Sequence, residues 1–241
     1  MADVKRYGYV IDPARCIDCR ACLVACRAEW QVPEGKTRIW VNSSGLKGTF
    51  PNLSQQFVPF QCQHCSDAPC LDACPTGATY RRDDGLVMID EEACIGCGLC
   101  VKACPYDARF YNEEKGVAEK CNGCYTRVDR GELPACVATC VGGARLFGDF
   151  NDPESPVNEA LKGRTAYRLI NEIDTQPNVY YLEPIEENNQ SWPEPEEMTP
   201  AEKFWRRLAV PGTKLAIGAM VLGQAAAFAK QLVSGENEFE E

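Results

Sequence analysis

Sixteen cysteines in four groups of four constrain this 241-residue chain more than any other feature. Cys16, Cys19, Cys22 and Cys26 form the first group and Cys62, Cys65, Cys70 and Cys74 the second. Cys94, Cys97, Cys100 and Cys104 form the third, and Cys121, Cys124, Cys136 and Cys140 the fourth. A single buried thiol is a small hydrophobe and needs no explanation. A tight four-thiol spacing that returns as CIDCRACLVAC and CIGCGLCVKAC does need one.

Disulfides would close loops of only two or three residues within a group. Such bridges staple domains too small to hold a core, which a chain of this length is not. Structural zinc, built from two separated CxxC pairs, is the rival reading and would make the chain a zinc-stabilised structural protein. The spacing favours something else. Three thiolates at i, i+3 and i+6 hold three corners of an iron–sulfur cube, and the cysteine four residues further on reaches a neighbouring cluster. The proline that follows such runs is present as Cys74-Pro75 and Cys104-Pro105. Sixteen thiolates at four per cluster predict four [4Fe–4S] clusters, with iron bound through all sixteen cysteines.

The rest of the composition removes other functions. A net charge of -10 argues against nucleic-acid binding, and His64 is the only histidine, which leaves little for histidine-based catalysis. No nucleophile–base pair and no open metal position is evident, so the chain is expected to transfer electrons and not to act as an enzyme alone. His64, inside CQHC, reads as a packing residue beside the cluster ligands. Trp30, Trp40, Phe50, Phe57 and Phe60, between the first two groups, read as core or interface. The start, MADVKRYGYVIDPARC, carries no secretory apolar stretch, so export would depend on a partner's signal.

The groups must pair, because such units exchange their fourth cysteines. Asp84-Gly85, between β-prone segments, predicts a hairpin joining the second and third groups into an inner unit at about residues 60–112. The first and fourth groups then form an outer unit around it. Pairing first with second and third with fourth also satisfies the spacing.

The stretches FQCQHCSDAPCLDACPTGATYRRDDGLVMID, CIGCGLCVKACPYDARF and KCNGCYTRVDRGELPACVATCVGGARLFGD resemble the four-cluster iron–sulfur subunit of the complex iron–sulfur molybdoenzymes, the DMSO reductase superfamily. The likeness is greatest to the tetrathionate, polysulfide and sulfite-oxidising type and covers about residues 7 to 183. It implies an α+β fold of two pseudo-symmetric ferredoxin-like units, one nested in the other. It also implies the ligand sets Cys16, Cys19, Cys22 and Cys140; Cys26, Cys121, Cys124 and Cys136; Cys62, Cys65, Cys70 and Cys104; and Cys74, Cys94, Cys97 and Cys100. Some relatives lack a cysteine in the third group and carry a three-iron cluster there, whereas this chain has Cys97. Val141 stands where simple ferredoxins have proline. The implied partners are a molybdopterin catalytic subunit next to the first cluster and a quinone-reactive membrane subunit next to the last. A polyferredoxin subunit of a hydrogenase or formate dehydrogenase is the alternative.

Beyond the cysteine domain, placed at residues 1–182, residues 183–202 are acidic and proline-rich and read as a linker or an arm on a partner. Residues 203–233 are predicted to form a membrane or interface helix, followed by an acidic tail at 234–241. From Val210 to Val233 such a helix reaches about 36 Å, with Lys214 and Lys230 snorkelling. Lys203, Arg206 and Arg207 precede it and the tail SGENEFEE has no basic residue, so the charge bias puts the cysteine domain on the cytoplasmic face. Co-export with a partner would put it on the periplasmic face instead.

Overall fold

In the computed structural model of the chain, the structure describes residues 4–169 and 173–185. The predicted linker, apolar helix and acidic tail lie outside them but for the linker's first residues. Among the described residues no helix is long and apolar enough to cross a membrane.

The elements are short because the cysteine loops interrupt them. Among the described residues eleven strands run β1 (Tyr7–Ile11), β2 (Ile39–Ser43), β3 (Lys47–Thr49), β4 (Asn52–Ser54), β5 (Phe57–Gln61), β6 (Thr79–Arg81), β7 (Val87–Ile89), β8 (Arg109–Asn112), β9 (Val117–Lys120), β10 (Arg145–Asp149) and β11 (Val179–Tyr181). The helices are α1 (Ala21–Trp30), α2 (Pro69–Asp72), α3 (Leu99–Lys102), α4 (Tyr125–Val128), α5 (Ala135–Ala138) and α6 (Pro156–Leu161), with a 3-10 turn at Pro13–Arg15. The mixture is α+β, as predicted.

One sheet joins the first and the last two of the described strands. β1 pairs antiparallel with β10, Tyr7 opposite Asp149, and parallel with β11, Tyr9 opposite Val179. The other sheets are two-stranded: β2 with β5, β3 with β4, β6 with β7 and β8 with β9. The hairpin expected at Asp84-Gly85 forms, with Tyr80 opposite Met88. Gly85 takes φ 88°, and the Asp84 carboxylate accepts from the Leu86 amide at 3.1 Å.

The cysteines are part of the core itself. Cys22, Cys26, Cys62, Cys121 and Cys136 share one buried cluster with Tyr9, Ile39, Trp40, Phe60 and Tyr181. A second holds Cys65, Cys70 and Cys100 with Val87 and Ala118. Trp40 and Phe60 stack at 5.6 Å, as core residues should, while Phe50 is 84% exposed at the tip of the β3–β4 hairpin. Within this interior Arg38 pairs with Glu119, each side chain 3% exposed, and Glu119 also accepts from Asn112 at 3.1 Å. The Arg38 guanidinium lies 4.9 Å from the Trp30 ring centroid.

Two outcomes follow from this core. Thiols that line it gain a reason to be compact only when iron binds them, so iron-free chain should show no cooperative far-UV melt. A native-like melt of iron-free protein would overturn that. Glu119→Leu should cost about 3–5 kcal/mol by stranding Arg38, and Arg38→Met with Glu119→Leu should restore much of it. Urea titrations of the iron-loaded complex, following cluster loss, would read both.

Candidate metal centres

The first CxxC turn of every cysteine group shares one backbone feature. The residue just before the second cysteine is left-handed in each: Asp18 at φ 50°, His64 at 45°, Gly96 at 66° and Gly123 at 69°. Such a kink among ordinary residues curls successive N–H groups into a concavity that suits anions and iron–sulfur sites. In the first and third groups a second kink follows two residues later, at Arg20 (φ 56°) and Gly98 (φ 72°), and begins α1 and α3. Gly96 has a further constraint, because a Cβ there would sit 2.3 Å from the Gly116 carbonyl oxygen.

This explains His64. The imidazole is fully buried, its Nδ1 accepts from the Val87 amide at 3.0 Å, and Asn178 donates to its carbonyl at 2.7 Å. Burial, with Lys120 and Arg109 nearby, pushes its pKa well below the ordinary value, so it is a neutral packing residue at a kinked position. Histidine tolerates that kink better than most residues.

All sixteen cysteines are free thiols. Cys16, Cys19, Cys22 and Cys140 line one cavity, beside Arg145. Cys62, Cys65, Cys70 and Cys104 line another, beside Arg109. Cys26 comes near Cys121, Cys124 and Cys136 as α1 packs on α5. For the remaining four, α2 lies against α3, and Cys94 packs against the cluster containing Cys100. Cys74 follows α2 directly, and its sulfur accepts from the Thr79 amide at 3.4 Å. No three His, Cys, Asp or Glu side chains among the described residues are placed to hold a single metal ion. A cubane asks for a different arrangement, with each thiolate on its own iron around a cluster of several ångströms.

The surroundings fit an anionic cluster. Donors reach the sulfurs directly: Arg109 to Cys70 at 2.9 Å, Thr175 to Cys65 at 3.1 Å, the Ala144 amide to Cys140 at 3.2 Å and Trp30 to Cys124 at 3.3 Å. The sequence marks Trp30 only as a packing residue, and its contact with sulfur has no signal in the local sequence. Arg145, fully buried, donates to the Gln61 side chain and the Phe60 carbonyl while facing Cys22 and Cys136.

Burial pushes the Cys65 thiol up to about 12, and Cys104 and Cys121 to about 11, so these thiols hold their protons unless a metal displaces them. At Cys74 burial is slight, and donation from Thr79 and Thr76 prevails, bringing it down to about 7. Cys19 and Cys97, the second cysteines of the first and third groups, are exposed; their counterparts Cys65 and Cys124 are buried. The first and third groups therefore reach the surface.

If Arg145 compensates cluster charge, Arg145→Met should lower the iron-to-protein ratio. Arg20→Met should leave it unchanged, since Arg20 lines the same cavity with its side chain 64% exposed. Equal iron in both variants would remove Arg145 from that role.

Two 4Fe-4S dicluster domain models match the chain, over residues 15–78 and 53–150. The tetrathionate reductase B-subunit of Salmonella typhimurium is 44% identical over 180 residues, 73% of this chain and 72% of that protein. Its namesake in Archaeoglobus fulgidus is 43% identical over 182 residues, covering 76% and 84%. The selenate reductase B-subunit of Mesobacillus selenatarsenatis is 40% identical over 206 residues, covering 72% and 70%. These likenesses remove the zinc reading. The chain belongs to the iron–sulfur electron-transfer subunits of the molybdoenzyme reductases and carries four [4Fe–4S] clusters.

Proposed function

We propose that the clusters are held as two nested ferredoxin-like units and form a wire between two partner subunits. The sets are Cys16, Cys19, Cys22 and Cys140; Cys26, Cys121, Cys124 and Cys136; Cys62, Cys65, Cys70 and Cys104; and Cys74, Cys94, Cys97 and Cys100. The observation that carries this reading is the cavity in which Cys140, from the last group, meets three cysteines of the first. The second cavity supports it, since Cys104 there joins three cysteines of the second group.

Electron transfer needs the terminal clusters near the surface, because tunnelling falls steeply with distance. Ile17 and Val141, 62% and 78% exposed, flank the first cluster's cysteines, and Ile95 and Leu99, 66% and 47% exposed, lie within the third group. Exposed apolar residues beside an exposed ligand suit subunit docking. One face is assigned to a molybdopterin catalytic subunit acting on a sulfur compound or a similar respiratory substrate, in keeping with the relatives' names. The other is assigned to a quinone-reactive membrane subunit. Membrane attachment through residues 203–233, with this domain on the cytoplasmic face, belongs to the same proposal and rests on the charge pattern of the sequence.

Two measurements test it. The native complex, solubilised in detergent without oxygen, should carry about sixteen irons per copy of this chain, plus any in a partner, and one molybdenum or tungsten. Iron without either metal would keep the wire but reject the molybdopterin partner. Serine substitutions test the nesting by electron paramagnetic resonance: Cys140→Ser and Cys16→Ser should alter the same cluster signal, and Cys26→Ser that of Cys121→Ser. Should Cys26→Ser instead alter the signal that Cys70→Ser alters, the first group pairs with the second and the nesting is wrong.

A further inference from the structure

Residues beyond the last cysteine also help to build a cluster site. The segment 173–178 is stapled to the loop that carries Cys65. The Ser66 amide donates to the Gln176 carbonyl at 2.9 Å, the Asp67 amide to the Thr175 carbonyl at 3.0 Å and the Asn178 amide to the Gln63 carbonyl at 2.9 Å. The Asn178 side chain adds bonds to the His64 carbonyl at 2.7 Å and the Ser66 hydroxyl at 3.0 Å. These bonds hold Thr175, only 1% exposed, against Cys65, which lines a cavity with Cys62, Cys70 and Cys104.

There the Thr175 hydroxyl donates to Cys65 Sγ at 3.1 Å. Its oxygen lies 2.7 Å from the Tyr106 hydroxyl, and Tyr106 lines the same cavity. Each hydroxyl has one proton. Tyr106 also donates to the Leu169 carbonyl at 2.9 Å, so with the Thr175 proton on sulfur the one Tyr106 proton is shared between that carbonyl and the Thr175 oxygen, and the contact fixes where the Thr175 hydroxyl sits.

We propose that Thr175, oriented by Tyr106, is a positioning residue that raises the reduction potential of the cluster bound at Cys65, a proposal that rests on Cys65 being an iron ligand. An arriving electron increases negative charge on the cluster's sulfurs. The hydroxyl bond to Cys65 then strengthens, so the reduced state gains more from it than the oxidised state. The proton stays on Thr175 throughout, and no bond to sulfur breaks. Arg109, at 2.9 Å from Cys70 in the same cavity, acts in the same direction. Like Trp30, Thr175 is a donor that no cysteine motif would reveal.

The test is a redox titration of the native complex followed by electron paramagnetic resonance. Thr175→Val keeps the shape and removes the hydroxyl, so it should lower one of the four midpoint potentials and leave the other three and the iron content unchanged. Thr175→Ser should restore the potential. If Val is not accommodated, Ser and Ala at this position share one packing defect and differ only by the hydroxyl, so the Ser variant should have the higher potential. Four unchanged potentials in Thr175→Val, or equal potentials in the Ser and Ala variants, would overturn the proposal. Cys65→Ser tests its foundation separately: it should alter the same cluster that Thr175→Val shifts, whereas unchanged iron and signals there would mean that Cys65 is not a ligand.

Discussion

Negative sulfur in a low-dielectric interior must be met by N–H and O–H donors and by buried positive charge, and much of this fold is arranged around that demand. A left-handed kink stands in the first CxxC turn of each cysteine group, a bend of the kind that gathers backbone amides around an anion. Arg109 and Arg145 are held beside the thiols at almost no exposure, which would be costly for an arginine without anionic neighbours. Donors from Thr175, Trp30 and the Ala144 amide complete the set.

The same demand explains the scarcity of long elements. A cysteine loop has to wrap its ligand, so helices and strands run only between loops. α1, the longest helix described, spans ten residues and carries Cys22 and Cys26 on one stretch of chain. What the elements lack in length is made up by pairings between distant parts of the chain. β1 sits between β10 and β11, and the 173–178 segment returns to the Cys65 loop.

Exposure divides the cysteine groups by task. The first and third groups each put one cysteine at the surface beside bare apolar side chains, while the second and fourth turn their first three cysteines inward. A wire needs this inequality, with inner sites shielded and outer sites within reach of a partner. Shielding also widens the means of tuning, since a buried sulfur responds more strongly to each donor than an exposed one.

By itself the sequence determined the number of clusters, the electron-transfer role and the hairpin at Asp84-Gly85. Those properties depend on residue type and short spacing, which the chain carries openly. The tertiary structure alone decided which distant cysteine completes a cavity, that His64 is a kinked packing residue, and that Trp30 and Thr175 touch sulfur. Trp30 stands 94 residues from Cys124, and Thr175 stands 110 from Cys65. Neither aromatic nor hydroxyl chemistry marks a residue as a sulfur donor until folding brings it there.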